Sequence, residues 1–187
     1  MHPYMSSPSK SLRVSPVPDS FETFLSRIES PALLAVALLW HEARGKRRMP
    51  SWDDLPSDAL SPHAKLLWGF AYDPETGLFT VQLAGDRLKR WTDQKIDAGT
   101  LEDIRTRANH REIRKQLTRI ITTPLVYRSS GRLFKVGDLT ITGERICLPL
   151  AKDGKTGDAM LGASDYVSPP LLGPSELILE NQEWYAP

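Results

Sequence analysis

The stretch ERICLPLAKDGKTGDAMLGASDY, residues 144–166, decides how this chain is read. Two apolar runs, Ile146 to Leu150 and Ala159 to Leu161, flank a loop of Lys, Asp, Gly and Thr. Apolar runs bounded by turn-forming residues pair as strands, so the stretch predicts a closing hairpin. It carries no recognisable arrangement of nucleophile, base and orienting group. The sequence therefore speaks about architecture before chemistry.

Upstream, two longer strands are predicted at about 125–136 and 139–150, turned at Gly137-Asp138. Pro149 near a strand end suits an edge or a bulge, not the middle of a central ladder. Pro124 closes off a helix predicted from about 101 to 122, on which Ile104, Ala108, Ile113, Leu117 and Ile120 or Ile121 share one face. Further upstream the period is two. Trp68, Phe70 and Tyr72, then Phe79, Val81 and Leu83 after the turn Asp73-Pro74-Glu75-Thr76-Gly77, predict a hairpin with one large-residue face. The segment 85–100 suits short helical turns, and 46–65, with Pro50, Pro56 and Pro62, an irregular linker.

At the N-terminal side, Ser30-Pro31 is a helix start and Gly45 a helix stop, so a helix is predicted over 31–44. Arg44, Lys46, Arg47 and Arg48 suit its negative end. A shorter helix is predicted from Phe21 to about Glu29. Residues 1–18, with four prolines and five serines, read as a disordered tail, and 167–187 as a Pro-rich, acidic C-terminal tail. Between them, 19–166 reads as a single domain.

Composition narrows the class. With 187 residues, 40% hydrophobic and 25% charged, the chain suits one soluble domain. A net charge of +1 predicts no global attraction to nucleic acid or acidic membranes. One cysteine, Cys147, excludes an internal disulfide and a cysteine-only metal cage. The longest apolar run, Pro31 to Trp40, is half the roughly 20 residues of a membrane span and lacks a signal-peptide flank. A cytoplasmic protein is expected.

The order of elements is helix, two strands, helical turns, a long helix and three strands. With that order, the chain resembles the PAS fold, and more closely the stand-alone PAS proteins of proteobacteria. The match is carried by Trp40 with Arg44-Gly45-Lys46 and Met49-Pro50, by LWGFAYDPETGLFTVQLAGDRL at 67–88, and by ICLPLAKDG at 146–154 leading to MLGASDY. It covers roughly residues 33–166. After Gly85 the sequence Arg90-Trp91-Thr92-Asp93-Gln94 departs from the family pattern. The resemblance implies an α+β fold: a five-stranded antiparallel sheet with helices on one face, here with an added N-terminal helical element. It also implies a non-enzymatic sensor or interaction module that binds a small ligand between sheet and helices and signals to a partner protein. Its length leaves no room for an output domain of ordinary size, so the signal is expected to leave through a surface.

Candidate ligand-binding residues are Trp68, Phe70, Phe79, Val81 and Leu83, with Trp91 and Tyr127. Such cavities are mainly apolar and aromatic. The same side chains serve equally to fill a core, which is the simpler reading. The basic helix over 103–122 (Arg105, Arg107, Arg111, Arg114, Lys115, Arg119) offers an alternative as a nucleic-acid face. Its charges scatter around the helix without aromatic residues among them, which favours a solvated face. His110 on that helix invites comparison with haem-ligating histidines of some PAS sensors, but its arginine neighbour favours a surface histidine. Cys147 within a strand reads as a small buried hydrophobe. His2, His41 and His63 have no spacing partners, so no metal site is expected, and the cofactor is unknown. An enzyme using the same cavity would need converging ionisable groups, for which only Asp86, Asp93 and His110 qualify. Finally, nine consecutive apolar residues from Ala32 to Trp40 require burial on more than one side. Either the 31–44 helix is a homodimer surface, or the 21–29 helix or the C-terminal tail covers it.

Overall fold

The computed structural model describes residues 20–89, 99–103, 110–166 and 175–187. Among them, helices α1 (Phe21–Arg27), α2 (Pro31–Arg44), α3 (Ser57–Leu60), α4 (Asp86–Lys89) and α5 (His110–Thr122) accompany one antiparallel sheet. Its strands are β1 (Leu67–Asp73), β2 (Leu78–Ala84), β3 (Val126–Val136), β4 (Leu139–Leu150), β5 (Ala159–Tyr166), β6 (Ser175–Leu177) and β7 (Gln182–Tyr185). The order is β2-β1-β5-β4-β3, with β6 and β7 both pairing on the far edge of β3. The α+β architecture and the closing hairpin within 144–166 are as predicted.

The sheet has seven strands, not five. The two additions come from the segment read as a C-terminal tail. Tyr185 sits opposite Val126 and is 4% exposed, so part of that segment belongs to the domain. The linker is likewise more ordered than expected, with α3 followed by a 3₁₀ turn over Ser61–Leu66. Met49 there is fully buried. Of the predicted 101–122 helix, the structure shows a 3₁₀ turn at Leu101–Asp103 and then α5; the expectations for Ile104, Ala108, Arg105 and Arg107 lie outside the described residues. So do the predicted tail 1–18, the Pro-rich stretch 167–174 and the segment 90–98.

Strand alternation splits the sheet's side chains between two cores. Ile146, Leu148 and Leu150 point to one face with Leu161, Ala163 and Val126, and there they meet Leu33, Val36, Ala37 and Trp40 of α2 and Phe21 and Phe24 of α1. Cys147 points to the other with Trp68, Phe70, Tyr127 and Met160, and meets Ile113, Leu117, Ile120 and Ile121 of α5. Helices therefore cover both faces, the N-terminal pair on the outer and α5 on the inner. Pro149 lies beyond the last β3 pair (Tyr127 with Cys147), so its missing N–H breaks no bond to β3. Its carbonyl accepts the Trp40 Nε1–H at 3.0 Å, tying α2 to the sheet.

Ser30 caps α2 through its hydroxyl, which accepts from Leu33 N–H. The apolar run is covered inside the chain by α1, whose Phe21 ring stacks on Trp40 (5.5 Å) and His41 (4.8 Å), and Tyr185 packs on Phe24. Leu38 stays 46% exposed on the outer stripe of α2.

Candidate functional site

Between the inner face of the sheet and α5 lies a cavity of about 100 Å³. Its floor comes from alternating strand positions: Trp68 and Phe70 of β1, Ser164 and Tyr166 of β5, Arg145 and Cys147 of β4, and Tyr127 and Phe134 of β3. Phe134 joins this face because a register shift between Arg132 and Phe134 turns the strand. Ile113, Gln116, Leu117 and Ile120 of α5 form the wall opposite, and Arg87, Leu88, Leu101, Leu177 and Leu179 complete it. α5 is pinned in place by its basic residues. Arg114 donates to Gly77 O at 2.6 Å and pairs with Glu102, and Arg119 lies over the Trp184 ring at 4.3 Å. Two arginines of the supposed nucleic-acid face are thus committed to internal contacts.

The predicted ligand residues divide. Trp68, Phe70 and Tyr127 line the cavity. Phe79 and Val81 are buried in the same core, Phe79 edge-on to Phe70, but do not line it. Leu83 packs with the outer core instead, because a register shift sets it opposite Gly69 while Val81 faces Phe70. Trp91 lies outside the described residues, as does Asp93. Asp86 is exposed and His110 half-buried, and neither lines the cavity. Among the described residues no group of three or more His, Cys, Asp or Glu side chains is placed to hold a metal.

Cys147 is 1% exposed, and burial pushes its thiol up to about 12, opposed by the nearby Arg145 charge. At neutral pH it is a protonated, unreactive part of the wall. The polar residues of the site were the ones sequence reasoning passed over. Ser129, Arg145 and Ser164 stand side by side across β3, β4 and β5, on the inner face. Ser164 Oγ accepts both the Trp68 Nε1–H at 3.0 Å and the Arg145 Nε–H at 3.3 Å. Arg145 also lies over the Phe134 ring at 4.9 Å. The signal for it was available: counting by two from Cys147 puts Arg145 on the buried side.

A second polar cluster lies on the outer face. Arg128, 3% exposed, donates from Nε to Glu144 at 2.5 Å, from Nη1 to Glu183 at 3.0 Å and from Nη2 to Glu29 at 3.2 Å. Burial alone lowers the Arg128 pKa, but its hydrogen bonds to Glu144 and Glu183 outweigh that and raise it. The Glu144 carboxylate also accepts the backbone N–H groups of Glu29 (3.1 Å) and Ser30 (2.7 Å) at the corner between α1 and α2. The Ser30 hydroxyl donates to Asp165 at 2.7 Å. Asp165 in turn receives Arg87 at 3.1 Å, and Arg87 lines the cavity. A short chain of polar contacts thus runs from the inner cavity to the start of α2.

No helix among the described residues is long and apolar enough to cross a membrane. No curated protein matches the chain. The family model described as PAS domain matches residues 28–164, which takes in α2, β1 to β4, α5 and all but the last two residues of β5. With strand order β2-β1-β5-β4-β3 and a cavity under the helix that joins β2 to β3, the chain belongs to the PAS domain family.

Proposed function

We propose that this protein is a cytoplasmic, non-enzymatic sensory or regulatory PAS module. It binds a small molecule in the inner cavity and signals through contacts with another protein. The observation that carries the reading is the cavity itself, a largely apolar space with a few polar groups directed into it, which is how small-ligand sites are built. The described candidates for acid–base chemistry, Asp86 and His110, lie off that cavity, which favours binding over turnover. Arg87 gives a route outward: a ligand that displaces it disturbs Asp165, and with it the cap of α2. The outer stripe of α2, with Leu38 exposed, is the surface on which a partner protein or a second copy would act.

The test is mass spectrometry of small molecules released from the denatured purified protein, with an absorbance spectrum taken beforehand. A stoichiometric organic molecule supports the reading. A Soret band or a flavin spectrum would identify the cofactor. An empty protein that also binds nothing from a metabolite library would overturn the ligand-binding part. Light scattering behind size exclusion, with and without ligand, reads the α2 surface.

A further inference from the structure

We infer that the ligand is an organic acid, held by its carboxylate against Arg145 with its apolar body in the cavity. The inference rests on the cavity being a ligand site and adds the chemical class that it takes.

Arg145 is 7% exposed and lines the cavity. A guanidinium carries five N–H donors and stays charged at any physiological pH. Only Nε–H has an acceptor among the described residues, the Ser164 hydroxyl. Among the described residues no carboxylate pairs with Arg145, whereas Arg128 has three glutamates and Arg87 has Asp165. A buried cation without a counter-charge is unfavourable, and the Phe134 ring beneath it offsets only part of that. The free edge of the guanidinium is the planar fork that matches a carboxylate bidentately.

The same corner holds two more groups able to donate. The Tyr127 and Ser129 hydroxyls are buried and have no hydrogen-bond partner beyond each other. Tyr127 lines the cavity, and Ser129 faces Arg145 directly across the strand pair. Burial raises the Tyr127 pKa, against the opposing pull of Arg145 and the weaker one of Ser129, so the phenol is a neutral donor at pH 7. Buried polar atoms left unpaired are rare and point to an absent partner. Here a guanidinium fork and two hydroxyls able to donate stand at one corner of an apolar space. An anion with an apolar tail satisfies them, whereas a cation or a pure hydrocarbon does not. Size sets the tail. A cavity of about 150 Å³ holds benzene, so about 100 Å³ suits a short-chain acid.

The experiment titrates the full chain at pH 7 with propionate, butyrate and isovalerate, and with the matching amides, by calorimetry and saturation-transfer NMR. At least one acid should bind at least about tenfold more tightly than its amide, the margin of one charge-assisted hydrogen bond. Arg145→Met should abolish the advantage of that acid over its amide. Tyr127→Phe should weaken the acid several-fold. Acids and amides binding alike, or Arg145→Met retaining the preference, overturns the acid assignment while the cavity stands as a ligand site. Binding of neither overturns the acid assignment and counts against the ligand site as well. The acid–amide comparison on the unaltered chain decides even if Arg145→Met fails to fold.

Discussion

At the scale of single residues, glycine and tryptophan are matched across the first interior strand pair. Gly162 of β5 stands opposite Trp68 of β1, and a Cβ there would overlap the indole ring. The ring cannot simply swing away, because its Nε1–H is held by Ser164 and its edge meets Phe70 at 5.8 Å. Gly162→Ala should therefore strain the inner core and destabilise the fold by about 1–3 kcal/mol, the range for overpacking. At about 2–4 °C per kcal/mol for a chain of this size, a thermal melt resolves the effect, and tryptophan emission should shift with it. An unchanged midpoint would show that the indole relaxes freely. The reading of the site from sequence was uneven for reasons of the same scale. Trp68, Phe70 and Tyr127 were legible because bulky residues at alternate positions advertise a buried face. Leu83 was misplaced because one register shift in β1 and β2 changes its face, and a bulge leaves no mark in an apolar pattern. Arg145 escapes notice because a charged residue in a strand reads as surface, although its parity with Cys147 already places it inside.

At the scale of elements, the corner between α1 and α2 hangs on one carboxylate. Glu144 closes the Arg128 ion pair and accepts two backbone N–H groups that the corner leaves without helical partners. Glu144→Ala removes both functions and leaves Arg128 only Glu29 and Glu183, so the cost should stay below the about 3–5 kcal/mol of a buried charge left unpaired. Glu144→Gln keeps an oxygen for the amides and should fall between alanine and the unaltered chain. Urea midpoints give the order, and protease sensitivity near residue 29 should rise in step. Equal stability of all three would mean the corner is held by the α2 core alone. β7 supplies a pH-dependent counterpart. Burial, followed by its hydrogen bond to Glu183, pushes the Tyr185 phenol up to about 12, against about 10 in an unfolded chain. A raised pKa means that this contribution is complete below about pH 10 and is lost as pH climbs toward about 12. Tyr185→Phe should flatten part of that alkaline decline in urea midpoints, the remainder belonging to Tyr127 and Cys147, both also raised by burial. On the acid side, burial works against Glu183, but its hydrogen bonds with Tyr185 and Arg128 prevail and lower its pKa. Its contribution is therefore present above the ordinary carboxylate range and disappears as pH falls through the lowered value. A decline of identical slope in Tyr185→Phe would show that the phenol is not coupled to folding.

At the scale of the whole molecule, the chain closes on itself from both ends. The N-terminal helices cover the outer face of the sheet, and the C-terminal strands cover the edge of β3 that the five-strand core leaves open. The core was legible in the sequence because its strands are long, alternate cleanly and are separated by turn residues such as Gly77 and Gly137. The C-terminal strands were not legible. Ser175–Leu177 and Gln182–Tyr185 are short, each pairs on one side only, and their partner lies far back in the chain. Nothing local distinguishes such a segment from a tail; only the open edge it fills gives it structure. That dependence is testable by removing residues 175–187. The truncated chain loses Tyr185 from its packing on Phe24, Glu183 from Arg128, Trp184 from beneath Arg119, and the ladder on β3. Burial of the tyrosine ring alone is worth about 1.5–3 kcal/mol, so the melting midpoint should fall by about 5 °C or more. The uncovered N–H and C=O groups of β3 should also invite pairing with another copy. Size exclusion with light scattering should then show a larger assembly than the full chain forms under the same conditions. A truncated chain with the full chain's melting midpoint and mass would mean that α1 and α2 hold the outer face unaided, and that β6 and β7 rest on the sheet without stabilising it.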